Sequence, residues 1–370
     1  MTGMHKTTTS IPSLDGIRAL SVALVFFSHN GLGNIVPGGL GVTIFFVLSG
    51  FLITTLMRTE YAEHGTVSFR AFYLRRFLRL TPPLAIVTCL AVVLSLTLGL
   101  GTPFTPAGLL SVLLYFSNYF VIFHGAAGQP PGLGVTWSLA VEEHYYLLFP
   151  PLALALLRFR NSLSSAATLT LLCAIILAWR CWLVLQGAAE DRLGMATDTR
   201  VDAILIGCLL AMVRNPWLEP PARLSRSREL GLAAACLGLL LATLLWRNEF
   251  FRLTFRYTLQ SLSIAGLLYL AVACAQRAPF RWLSARPLVY LGAVSYTVYL
   301  AHYLMLLLAE AYVGSFGAVA VGVVTAVSTV CIAEVMRRFV EAPCAALRRR
   351  LHESFFPKPP RFATPVSDRS

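Results

Sequence analysis

Apolar runs of about 15 to 22 residues recur along the whole 370-residue chain, separated by short segments where arginine, proline, glycine and serine gather. That is the length an α-helix needs to cross about 30 Å of hydrocarbon at a rise of 1.5 Å per residue. The pattern predicts an all-α polytopic membrane protein, a bundle of about ten transmembrane helices. The spans fall near 14–32, 40–57, 82–100, 138–157, 165–186, 200–213, 229–246, 259–276, 288–309 and 314–336. One segment is ambiguous. TPAGLLSVLLYFSNYFVIFH (105–124) is apolar enough for an eleventh span, yet it adjoins the Gly/Pro loop GAAGQPPGLG and also suits a re-entrant or interfacial piece.

The basic residues decide between the two topologies, because Lys and Arg concentrate in loops that stay in the cytoplasm. With ten spans and both termini cytoplasmic, 23 of the 30 Lys and Arg lie inside. Five are placed outside (Arg192, Arg200, Arg247, Arg252, Arg256) and two within spans (Arg18, Arg180). An eleventh span at 105–124 would invert everything after it, so that segment is expected not to cross. No inverted repeat of the kind many transporters show is visible. The expected division is a membrane domain over 1–345 and a basic cytoplasmic tail over 346–370.

Composition narrows the class further. At 57% hydrophobic, 13% charged and a mean hydropathy of +0.70, the chain has no room for a sizeable soluble domain. A net charge of +13 in a soluble protein would suggest nucleic acid. Between apolar spans it reports topology and attraction to anionic lipid, so the bilayer of the cell membrane is the expected partner and nucleic acid is not. The eight cysteines are scattered, mostly in apolar runs, without a CxxC pair, so neither a disulfide framework nor a zinc site is expected. The N-terminus MTGMHKTTTSIPS is polar and lacks a cleavable-signal pattern, which makes the first apolar span a retained helix.

Three stretches carry ionisable groups where apolar ones would do. In SLDGIRALSVALVFFSHN (13–30), Asp15 and Arg18 are i and i+3, close enough to pair, and His29 follows Arg18 by nearly a whole number of turns. Arg18 and His29 therefore share one helix face about 16 Å apart. They are either interfacial anchors with a packed histidine or part of a site in the bundle interior. In SFRAFYLRRFLRLTPP (68–83), placed in the loop before the third span, Arg75, Arg76 and Arg79 could grip phosphates or touch lipid head groups. In VTWSLAVEEHYYLLFPPL (135–152), Glu142, Glu143 and His144 stand 100° apart around a helix, so they cannot all face one cavity. One of the two glutamates against His29 would make a base and its orienter; the other reading is a polar contact between helices. Weaker signals are Asp202 beside Arg200, and Ser295, Tyr296, Tyr299 and His302 on a later span, with Arg180, Asp198 and Glu334 as partners that the sequence does not pair.

Taken together and in order, these motifs resemble acyltransferase family 3, integral-membrane proteins that acylate carbohydrates and some natural products. The matching pieces are SLDGIRALSVALVFFSH, GGLGVTIFFVLSGFLIT, FYLRRFLRLTPP, TWSLAVEEHYYLLFP, RVDAILIGCLLA, LGAVSYTVYLAHYL and FVEAP, spanning residues 11 to 345. The resemblance implies a ten-helix bundle that takes an acyl group, commonly acetyl, from cytoplasmic acyl-CoA to a hydroxyl. It implies essential roles for Arg18 and His29, matches the family's RxxR element to Arg76 and Arg79 with Arg75 adjacent, and matches its WSL-x-x-E element to Trp137, Ser138, Leu139 and Glu142. Two departures stand out: Thr43 where many members have Asp, and His144 where many have Gln. Some relatives carry an extra helix and an extracytoplasmic esterase-like domain; the tail after 345 gives no expectation of either.

The expected chemistry follows. His29 acts as general base, oriented by Glu142 or Glu143, and Arg75, Arg76 and Arg79 hold the phosphates of acyl-CoA. Arg18 stabilises the pyrophosphate or the thioester oxyanion, and Trp137, Ser138 and His302 contact the acceptor, a carbohydrate or glycosylated small molecule. A thioester is already activated, so no metal is expected. The rival reading is a polytopic transporter using Asp15, Arg18, His29 and Glu142 as a proton or anion path.

Overall fold

The computed structural model describes residues 11–159, 162–219 and 224–355. Lys6, Arg160, Arg223, Lys358, Arg361 and Arg369, all counted in the charge distribution, lie outside these residues, as does the end of the expected tail. Among the described residues all regular structure is helical.

The first half holds α1 (Pro12–Phe27), α2 (Gly38–His64), α3 (Phe69–Leu98), the short α4 (Pro106–Leu113) and α5 (Ser117–His124), α6 (Trp137–Arg158), α7 (Ser162–Leu185) and short α8 (Glu190–Met195). The second half holds α9 (Thr197–Val213), α10 (Arg226–Leu245), short α11 (Glu249–Leu253), α12 (Phe255–Ala273), α13 (Arg286–Ala293), α14 (Ser295–Val313), α15 (Ala318–Met336) and α16 (Ala342–Phe355). Local sequence sets many ends. Pro12 opens α1 where its missing N–H costs nothing, Ser68 caps α3 by accepting from the Ala71 amide, and Gly65 and Gly99 close α2 and α3 in left-handed conformation.

Among the described residues, six helical stretches are long and apolar enough to cross a membrane: α2, α3, α7 from Leu163, α10, Ser295–Phe316 and the continuous Ala318–Leu351. This is a multi-pass membrane protein. The other major helices, α1, α6, α9 and α12, carry polar or charged residues along buried faces. Packing inside the bundle relieves them of the need to be apolar all round.

The ambiguous segment takes a definite local form, and several other expectations change. The 105–124 segment is two eight-residue helices separated at Tyr115, whose φ is +56°. Each is only about 12 Å long, too short to cross. The predicted 288–309 span divides at Val294, and the short α13 lies against α1 so closely that a Cβ on Gly292 would sit 1.8 Å from the Asp15 carbonyl oxygen. The arginine cluster is not in a loop, because α3 starts at Phe69 and carries it on its first turns. Helix also runs across residue 345: α16 continues from α15 through a π turn (Arg337–Glu341) and packs back on α3.

Arg200, expected outside the bilayer, is 2% exposed inside α9. Its guanidinium lies 3.8 Å from the ring centroid of Tyr257, and its Nη2 donates to Thr43 Oγ1 at 3.0 Å. Asp202, two residues further along the same helix, pairs with Arg180 at 2.6 Å, and Thr258 donates to the same carboxylate oxygen at 2.6 Å. Both members of that pair have no solvent exposure. The remaining partners are now assigned too: Asp198 to Arg192, and Glu334 to Arg337 and Arg338.

The α2–α9 contact sits at the middle of the core and depends on two glycines. A Cβ on Gly50 would lie 1.9 Å from the Ile204 carbonyl oxygen, and one on Gly207 would lie 2.1 Å from that of Val47. Small residues are how helices approach when lipid supplies no hydrophobic drive between them. Gly207→Val is therefore expected to destabilise the protein by about 3 kcal/mol, read as a lower unfolding midpoint in detergent. Asp202→Leu, which strands the Arg180 cation, should cost about 3–5 kcal/mol, and adding Arg180→Met should recover most of it, checked by the same melt.

Candidate active site

Helices α1, α2, α3, α6 and α14, with the loop after α9, enclose a cavity of ≈ 1120 Å³. Its wall on α2 runs from Val42 to Glu63, 22 residues that rise about 31 Å from first to last, which is close to the thickness of a bilayer core. The two ends differ in chemistry.

One end is lined with arginine. Arg18, Arg58, Arg76 and Arg79 all contribute to the wall. Arg18 is held by Asp15 at 2.7 Å, and Arg58 is paired with Glu219, so these two cations are largely neutralised. Arg76 and Arg79, on successive turns of α3, have no carboxylate at ion-pair distance among the described residues. The Arg76 guanidinium rests over Tyr146, 5.1 Å from the ring centroid, which fixes its plane without satisfying its charge. Two guanidiniums one turn apart in a cavity wall form a ready site for phosphate oxygens. Arg75 is placed differently. It points to Glu60 at 2.7 Å, off the cavity wall, and Glu60 in turn accepts from the Ser68 amide.

Midway along the cavity, Glu142 accepts a hydrogen bond from Ser49 Oγ at 2.6 Å, and Tyr146 donates to the same serine at 3.3 Å. Glu143, the next residue round α6, lies off the cavity wall, and His144 reaches Thr197 on α9 at 2.7 Å. The 100° spacing thus resolves into three different neighbours.

The other end of the cavity closes at Ser138 and Tyr299, whose hydroxyls are 2.7 Å apart, with Tyr299 also donating to the Val135 carbonyl at 2.9 Å. One turn further along α14 stands His302, fully buried, and beyond it His29. His29 occupies a π turn (Ser28–Leu32) that ends α1, secured by Asn30 Nδ2 donating to the Phe26 carbonyl at 2.8 Å. Wide turns of this kind often mark functional positions. The residue is exposed as a whole, while its Nδ1 lies 2.8 Å from His302 Nε2 and the Tyr303 ring meets it edge-on at 5.2 Å.

These positions revise the residue-by-residue expectations. Arg18, Arg76, Arg79, Ser138 and Glu142 line one cavity; Arg75, Glu143, Trp137 and His302 do not. Trp137 packs edge-on against Phe46. Arg18 and His29 do not share the cavity, because α1 turns into the π segment and delivers His29 to α14. His29 contacts a second histidine where a glutamate was expected, since Glu142 is engaged by Ser49 on α2. The sequence reading missed Arg58, Ser49 and Trp217 in the wall; Arg58 and Trp217, flanking apolar spans, look in sequence like ordinary interfacial anchors.

The fold and the cavity define a membrane-embedded helical protein with an arginine-lined cavity end and, one helical turn beyond the other end, a histidine pair. The chain belongs to acyltransferase family 3: residues 11–338 match that family's acyltransferase domain. It is 32% identical to YrhL of Bacillus subtilis over 362 residues, covering 92% of this chain and 56% of YrhL. It is 30% identical to the peptidoglycan O-acetyltransferase OatA of Listeria monocytogenes over 356 residues, 90% of this chain and 55% of OatA. With the O-acetyltransferase OatA of Staphylococcus aureus the identity is 31% over 351 residues, 90% of this chain and 57% of that protein. The chain spans a little over half the length of these relatives. No solved structure matches it.

Proposed function

We propose that the protein is an O-acyltransferase of the cell membrane that moves an acyl group, acetyl by analogy with its named relatives, from acyl-CoA to a hydroxyl of a carbohydrate or glycosylated acceptor. The observation that carries the proposal is the polarity of the cavity. Two guanidiniums without carboxylate partners among the described residues line one end, suited to the phosphates of a CoA donor, and the far end stops one helical turn short of the His302–His29 pair. The volume and the length along α2 suit an extended donor that reaches from the arginines toward the histidines.

In this reading the arginine end faces the cytoplasm, as the distribution of Lys and Arg requires under ten spans with cytoplasmic termini and a non-crossing 105–124. Arg76 and Arg79 bind the donor phosphates. Arg18, steadied by Asp15, adds positive potential beside the pyrophosphate, and Glu142 with Ser49 shapes the wall past which the thioester arm extends. His29 removes the proton of the acceptor hydroxyl as its oxygen attacks the thioester carbonyl. The new C–O bond forms, the C–S bond breaks, and the proton passes from the imidazolium to the departing thiolate. The Listeria monocytogenes relative, named a peptidoglycan O-acetyltransferase, supports a polysaccharide hydroxyl as acceptor. A transporter path through Asp15, Arg18, Glu142 and His29 has no such support from the family match or the named relatives.

His29→Ala, inserted normally in membranes, should lose acyl transfer from labelled acetyl-CoA by about 10²–10⁴-fold; a wild-type rate would sink the assignment. Arg76→Ala should raise the KM for acetyl-CoA about tenfold or more, the worth of a charge-assisted contact, while the acceptor KM stays near wild type. Equal loss toward both substrates would count against a donor site at Arg76.

A further inference from the structure

The hydrogen bonds around the two histidines leave only one arrangement of protons for the neutral pair. His302 has no solvent exposure, and its Nδ1 lies 2.7 Å from the backbone carbonyl oxygen of Tyr299. A carbonyl oxygen has no proton to give, so His302 Nδ1 is the donor in that bond. A neutral imidazole carries a single N–H, which makes His302 Nε2 an acceptor. The imidazolium alternative would bury a charge whose described hydrogen-bond partners, the Tyr299 and Val298 backbone and His29, include no carboxylate. His302 Nε2 faces His29 Nδ1 at 2.8 Å, so the proton between the rings belongs to His29 Nδ1. The ring geometry agrees. With planes 15° apart and centroids 5.1 Å apart, the imidazoles meet edge to edge, nearly coplanar, and an N–H in the plane of His29 points along the line to its acceptor.

We infer that His302 is a positioning residue that holds His29 as the Nδ1–H tautomer and so leaves His29 Nε2 as the nitrogen that takes the acceptor's proton. This rests on the reading of His29 as the base. It also replaces the carboxylate that the sequence suggested with a neutral orienter, which sets direction and tautomer without contributing a negative charge to stabilise the imidazolium. The carbonyl that starts the chain belongs to Tyr299, whose hydroxyl closes the cavity against Ser138. One residue of α14 thus ends the cavity and, through His302, sets the state of the base beyond it.

The test uses the full-length protein in liposomes, with ¹³C,¹⁵N-labelled histidine and solid-state NMR. The chain has seven histidines, and the His29 signals are identified by their loss in His29→Gln. The wild type should show His29 protonated at Nδ1. His302→Leu should shift it toward the Nε2–H form, and His302→Gln, whose side-chain oxygen can accept the same hydrogen bond, should restore Nδ1–H. In transfer from acetyl-CoA, His302→Leu should lower kcat by about 100-fold with the acetyl-CoA KM unchanged, and His302→Gln should recover most of that loss. An Nε2–H His29 in the wild type, or a His29 tautomer or kcat unmoved in His302→Leu, overturns the inference. If His29→Ala still transfers at the wild-type rate, the role of His29 as base falls, while the NMR result decides the tautomer independently.

Discussion

The cost of placing charge inside an apolar bundle governs this structure. An ionisable group in a membrane interior must be neutralised by a partner or open onto a polar cavity, because the lipid offers it nothing. Most interior charges here take the first course. Asp202 holds Arg180, Asp15 holds Arg18, and Arg200 lies against the Tyr257 ring with Thr43 as its hydrogen-bond acceptor. Arg76 and Arg79 take the second course, and that exception defines the cavity's chemistry.

Thr43 shows how one substitution propagates through such a network. Where a carboxylate at this position would neutralise Arg200, threonine supplies a single hydrogen-bond acceptor. The cation is accommodated instead by an aromatic face and by the favourable field of Asp202 two residues on, whose carboxylate pairs with Arg180 and accepts from Thr258. The layer formed by α7, α9 and α12 stays closed by sharing one carboxylate among several groups. The reacting groups proposed for the protein lie elsewhere, between α1, α3, α6 and α14, so the two polar regions divide into a structural layer and an arginine-lined cavity.

Much of this was legible in the chain. The apolar period marked nearly every long helix, and the arginine distribution opposed a crossing at 105–124, a segment that folds as two short helices. Six long apolar helices stand out in the structure by length and composition alone. The motif residues Arg18, Arg76, Arg79, Ser138 and Glu142 do meet in one place. The errors share a cause. Arg200 reads in sequence as a loop residue because its charge argues against a span, yet neighbouring helices bury it. Arg75 is indistinguishable from Arg76 by residue type, and only the position of Glu60 on α2 separates a structural ion pair from a cavity wall.

By itself, the sequence determined the helical class, the membrane setting, the order of the elements and the residues able to carry chemistry, because these follow from hydrophobic period and local spacing. Only the tertiary structure decided which of those residues face each other. The 100° turn per residue orients side chains within one helix, but the neighbour each one meets depends on contacts far apart in the chain. The bond between His29 and His302 links positions 273 residues apart, and nothing in the local pattern of either segment announces it.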